Sequence, residues 1–150
     1  IELDGSTAVA AAVAGGAASI GGSLAGLGHG LGRPRDRTQG VSGPQGALIW
    51  CPFGDRESAS QVAGQLLDER LIACANILPE MQSLYLWKGD RGESRECGGL
   101  LKTEASTLDR AIERLAELHP YEDPAIIGWR CDGASPATLA WLAQEAGKSG

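Results

Sequence analysis

The sequence has no C-x-x-C pair. Its four cysteines, Cys51, Cys74, Cys97 and Cys131, stand at least 23 positions apart. That spacing excludes a zinc-finger frame, and four cysteines in 150 residues are too sparse for a disulfide-built scaffold. Reduced thiols in a cytoplasm-like compartment are expected. Also missing are G-x-G-x-x-G, G-x-x-x-x-G-K, H-E-x-x-H and G-x-S-x-G, so no nucleotide, metalloprotease or hydrolase motif announces an enzyme. Positive charge is short as well: 13 Lys and Arg against 19 Asp and Glu leave a net charge of −6. A phosphate-binding face needs the opposite balance, so a nucleic-acid partner is not expected.

Charge of either sign is missing altogether from residues 5–32. A run of that length raises the question of a membrane anchor, and Gly22, Gly26 and Gly30 have small-xxx-small spacing. Gly and Ala dominate it, so its hydrophobic drive is weak. Glu2 and Asp4 stand where a signal peptide carries basic residues. The expected organisation is a flexible Ala/Gly-rich extension and linker over 1–46, a globular domain over 47–146 and a short tail over 147–150.

From residue 47 the pattern is that of a packed domain. "ALIWC" is a short apolar run closed by Pro52 and Gly54, and reads as a buried strand. Asp55 and Ser58 are capping types, and Ala59, Val62, Ala63, Leu66 and Leu67 follow at helical spacing, giving a helix from about 57 to 70. "IACANIL" reads as a strand stopped by Pro79, and "SLYLW" as another. "KGDRGES" has the chemistry of a hairpin tip, with a return strand to "GLLKT". Gly98 and Gly99 in that strand predict a bulge or a close backbone contact. Ser106 and Asp109 suggest a capped second helix, which Pro120 ends at His119. "AIIGW" is the last strand, and Ser135-Pro136 opens a third helix with Leu139, Leu142 and Ala146 on its apolar face. The order β-α-β-β-α-β plus a helix predicts an α+β, ferredoxin-like sandwich, with one sheet face left for a partner to cover.

"LLDERLIACANILP", "SLYLWKG", "LLKT", "ELHPYEDPAII" and "ATLAWL" together resemble the CutA divalent-cation tolerance proteins, in order and spacing. The resemblance spans about residues 47–146. It implies a homotrimer whose long hairpins pair edges across subunits, in an architecture similar to the PII signalling proteins. It also implies copper or another divalent metal, and no catalysed reaction.

Two sets of candidate residues follow. Cys51 stands where some relatives carry a cysteine implicated in copper binding, and a thiolate suits copper or zinc. Cys51 equally reads as a buried small hydrophobe. His119, directed by Pro120, could ligate a metal or cap a helix C-terminus. Some relatives carry a second histidine just before this motif, where this chain has Leu118. Glu122 could supply an oxygen ligand or an interface ion pair. Trp87, Lys102 and Tyr121 suggest instead a pocket for a small anionic molecule between subunits, or plain interface packing.

Overall fold

The computed structural model describes residues 43–147. The extension over 1–42, the membrane-anchor option over 5–32 and residues 148–150 lie outside the described residues.

A mixed α+β domain follows from the sequence pattern. Strand β1 (Gly46–Phe53) leads to helix α1 (Arg56–Asp68), then to the long strands β2 (Cys74–Trp87) and β3 (Asp90–Glu104). Helix α2 (Leu108–Leu118), strand β4 (Ile127–Arg130) and helix α3 (Pro136–Glu145) complete it. The four strands form one sheet in the order β2-β3-β1-β4, with every neighbouring pair antiparallel.

Helix α1 starts where Asp55 accepts a 2.7 Å hydrogen bond from the Ser58 N–H, so the aspartate is the cap. Helix α3 starts as its Ser-Pro pair predicts, with Ser135 accepting from the Thr138 N–H. The capping box expected from Ser106 and Asp109 is not formed. Residues Ala105–Thr107 make a 3-10 turn, and the Ser106 hydroxyl donates to Glu104 instead.

The two strands expected on either side of Pro79 are one strand with a local irregularity. Leu78 pairs with Gly98 and Met81 with Glu96, so Pro79 and Glu80 together stand opposite Cys97. Proline is tolerated there because β2 is an edge strand and the pairing is already broken by the bulge. The hairpin tip is also shorter than its polar sequence suggests. Lys88 and Gly89 both have positive φ and close a two-residue turn, while the residues after them belong to β3.

Alternation divides the sheet into two unlike faces. Ala47, Ile49, Cys51 and Phe53 of β1, with Leu101 of β3, pack against Ala59, Val62 and Leu66 of α1 and Leu108, Ala111 and Leu115 of α2. The opposite face carries Leu48 and Trp50, each aligned with partners from its neighbours. Trp129, Leu48, Lys102 and Cys74 form one row; Ile127, Trp50, Leu100 and Asn76 form the next. Trp129 remains 43% exposed and Ile127 62% exposed on this face. Cys74, whose apolar neighbours in "IACANIL" would suggest a core position, sits here half-buried with its thiol directed to Asn76.

Gly98 and Gly99 mark close contacts, the second of the two alternatives their sequence raised. A β-carbon on Gly99 would lie 2.8 Å from the Phe53 ring and 3.2 Å from the Cys51 carbonyl oxygen. The carbonyl belongs to the sheet and cannot swing aside. A Gly99→Ala substitution is therefore expected to destabilise the fold by about 1–3 kcal/mol, measured by urea unfolding. An unchanged midpoint would show that β1 and β3 are packed less closely than described.

Candidate functional site

The residues of the "LHPYEDP" loop converge on the end of β1. Pro120 drives His119 out of helical geometry, to φ −68° and ψ 137°, and this turns the imidazole in toward the sheet. The ring stacks on Phe53, with centroids 4.6 Å apart, and is buried. His119 Nε2 lies 2.9 Å from the Pro52 carbonyl oxygen, and its Nδ1 lies 3.0 Å from the Tyr121 backbone N–H. A carbonyl only accepts and a backbone N–H only donates. The imidazole must therefore carry its proton on Nε2 and accept on Nδ1, which makes it neutral with both nitrogens used.

Tyr121 continues the chain of contacts. Its ring meets His119 at 4.7 Å, and its hydroxyl donates to a Glu96 carboxylate oxygen at 3.0 Å. Glu96 is only 5% exposed and was not among the residues singled out by sequence. Its burial arises from the β2 bulge and the folded-back loop, neither of which leaves a local signal in "SRECGG". Cys51 completes the group: fully buried, with its thiol 3.5 Å from the same Pro52 carbonyl.

The electrostatics follow from burial. Loss of water pushes the Cys51 thiol up to about 12, and the nearby Glu96 charge adds to the effect. Burial also lowers the His119 pKa below its ordinary 6.5, opposed more weakly by the Pro52 carbonyl and by Glu96. The Tyr121 phenol is raised, first by burial and then by Glu96. At neutral pH the cluster thus holds a protonated thiol, a neutral imidazole and a neutral phenol.

Such an arrangement does not fit a metal ion. A thiol that keeps its proton is a poor ligand, and neither imidazole nitrogen has a free lone pair. Glu122 points away as an exposed residue, and no group of three or more His, Cys, Asp or Glu side chains suited to a metal occurs among the described residues. The loop thus brings Cys51, His119 and Tyr121 together but leaves Glu122 outside.

Trp87, Lys102 and Tyr121 are not gathered within one chain. Trp87 closes the hairpin against Asp90, whereas Lys102 pairs with Cys74 near the opposite end of the same strands. The strand between them amounts to about 40 Å at the usual rise per residue. The Lys102 ammonium donates to Asn76 at 2.8 Å on the sheet face opposite α1 and α2.

Comparison with known proteins places this geometry in a family. The CutA1 divalent ion tolerance protein family matches residues 47–145. The divalent-cation tolerance protein CutA of Pyrococcus horikoshii is 44% identical over 101 residues, covering 67% of this chain and 98% of that protein. The CutA protein of Citrobacter koseri is 33% identical, covering 71% and 93%. The crystal structure of CutA1 from Pyrococcus horikoshii superposes with a TM-score of 0.64 at 41% identity, over 68% of this chain and 99% of that one. CutA from Xylella fastidiosa gives 0.65 at 35% identity, over 68% and 98%.

The buried histidine has a consequence for pH. Because the fold holds His119 neutral below pH 6.5, the unfolded chain takes up a proton first as the solution acidifies. Stability tied to the neutral ring is present above pH 6.5 and declines below it, until the folded form also protonates. Urea midpoints at pH 7.5 and 5.5 should therefore fall further apart in the wild type than in His119→Gln. Equal spacing would mean that His119 does not titrate differently on folding. The match over residues 47–145 and the 44% identical relative show that the protein belongs to the CutA1 divalent ion tolerance family.

Proposed function

We propose that the protein is a non-enzymatic, ferredoxin-like subunit of a homotrimer, whose role in divalent-cation tolerance is carried at subunit contacts. The observation that supports this reading is an apolar surface that the described residues cover only in part, with Leu142 of α3 packed at the Gly46 end of it. On one sheet face Ile127 and Trp129 stand exposed, and on the outer part of the hairpin Leu84 and Leu86 are 58% and 65% exposed. Beyond Phe53 and Cys97 no third strand among the described residues lies beside the β2/β3 hairpin, and a free two-stranded ribbon is marginal in water. Its outer edge is a run of unpaired backbone groups, which in a stable protein is covered or paired. Copies of the chain meeting on these surfaces would satisfy all three demands at once.

Copper or zinc is the metal class this reading inherits from the sequence, bound at the contacts rather than at Cys51, His119 and Glu122. The saturated imidazole and protonated thiol favour that location. They also favour a binding role over catalysis, since neither group is poised to act as a base or a nucleophile. The four free cysteines suit a reducing, cytoplasm-like compartment. No helix among the described residues is long and apolar enough to cross a membrane.

A second reading, a PII-like trimer that binds a small anionic molecule, is favoured by Lys102. Its ammonium lies on the sheet face opposite α1 and α2, where a neighbouring subunit could bring Trp87 or Tyr121 toward it. This reading predicts ligand-induced stabilisation that survives chelators and is lost in Lys102→Ala.

Native mass spectrometry of the purified chain tests the main reading. The wild type should be trimeric, and Trp129→Glu should shift it toward monomer. Added copper or zinc should bind equally well to the wild type, Cys51→Ser and His119→Ala. A wild-type monomer would overturn the assembly, and metal lost on either substitution would return the site to the buried cluster.

A further inference from the structure

The buried Glu96 occupies a special place in the hairpin. It is the first β3 residue beyond the point where Pro79 and Glu80 stand against Cys97. On one side of that irregularity β3 is embedded between β1 and β2. On the other side, residues 81–87 and 90–96 form a two-stranded arm with no further strand beside it among the described residues. A bulge increases local twist and bends the strand that carries it, so this position governs where the arm points. A bulge alone leaves that direction loosely held.

Tyr121 supplies what the bulge lacks. Its hydroxyl donates to Glu96 at 3.0 Å, while its own backbone N–H is held by His119 Nδ1. His119 in turn bonds the Pro52 carbonyl and stacks on Phe53, and Phe53 pairs with Cys97, the residue next to Glu96. The contacts therefore close a ring: end of β1, His119, Tyr121, Glu96, and back to the end of β1. Gly54 leaves room for it, since a β-carbon there would lie 2.9 Å from the Tyr121 hydroxyl oxygen. Within the described residues the Glu96 side chain has this one hydrogen bond and no cationic partner. Little else holds the carboxylate in its buried position.

We propose that the Tyr121–Glu96 hydrogen bond is a latch that sets the direction of the β2/β3 arm and so presents Leu84 and Leu86 for assembly. The inference rests on the assembly reading given above, and assigns the loop a task distinct from ligand binding. Tyr121 acts as a positioning residue. Without its hydroxyl the bulge becomes a hinge, and the arm samples directions that do not match a neighbouring copy. Glutamine at position 96 would keep the latch, because its carboxamide oxygen still accepts from the phenol.

Hydrogen exchange of the full chain, read together with native mass spectrometry, tests this. In Tyr121→Phe the amides of residues 82–95 should exchange about ten-fold faster than in the wild type, the scale of one lost hydrogen bond. Those of 48–52 in the central strand should stay within about two-fold, as expected for a local rather than global opening. The trimer should dissociate at a higher protein concentration than the wild type, and Glu96→Gln should match the wild type in both readouts. Equal acceleration of arm and central strand would make Tyr121 a general stability residue and overturn the latch. So would a Glu96→Gln variant that behaves like Tyr121→Phe, since charge rather than the hydrogen bond would then matter. A wild-type monomer would overturn the assembly reading itself, and is recognised independently of any variant.

Discussion

The imidazole of His119 ties the end of α2 to the end of β1, two elements that already share the core. It gives its Nε2 proton to the carbonyl of Pro52, a residue whose ring nitrogen offers the sheet no donor, and receives the Tyr121 N–H on Nδ1. Stacking on Phe53 excludes water from both bonds. Low dielectric strengthens satisfied hydrogen bonds and penalises unsatisfied ones, so the arrangement is tolerant of neither a lost partner nor a second proton. From this bridge follow the position of Tyr121 and, through its hydroxyl, the contact with Glu96. The family's most recognisable stretch is thus explained first as architecture.

Much of the fold was legible in the residues. Helices α1 and α3 were marked by Asp55 and by Ser135-Pro136, and the end of α2 by Pro120, because caps and proline act through local geometry. The apolar run of β1 marked a strand but not which of its two faces is core. What escaped was decided by distant partners. Pro79 looked like a stop, yet an edge strand with a bulge absorbs it. Ser106 looked like a cap, yet Glu104 offered its hydroxyl a nearer acceptor. Cys74 looked internal because its neighbours in sequence are apolar, although strand alternation turns its side chain to the face opposite α1 and α2.

The candidate site was legible in a narrower sense. His119 was correctly seen as fixed in direction, but nothing in a linear sequence tells that both of its nitrogens will be taken by backbone groups. Cys51 was open to two readings, ligand and small hydrophobe, and its zero exposure and retained proton agree with the second. Glu96 gave no sign at all. A carboxylate between Arg95 and Cys97 reads as surface charge until the loop folds over it. The proposed function accordingly rests on the sheet face opposite α1 and α2 and on the hairpin, where exposed hydrophobic side chains lie, rather than on the buried cluster.

The most direct test of this account is the protonation state of one ring. The chain has two histidines, His29 and His119, so a His29→Gln background leaves a single imidazole for nitrogen NMR. At pH 7 the account predicts a neutral ring with the proton on Nε2 and a bare, hydrogen-bonded Nδ1, unchanged by one equivalent of zinc. A ring protonated on Nδ1, a rapid average of both tautomers, or a shift on adding zinc would contradict it. Any of these would mean that the imidazole is free to bind, and that the bridge is not what holds the loop in place.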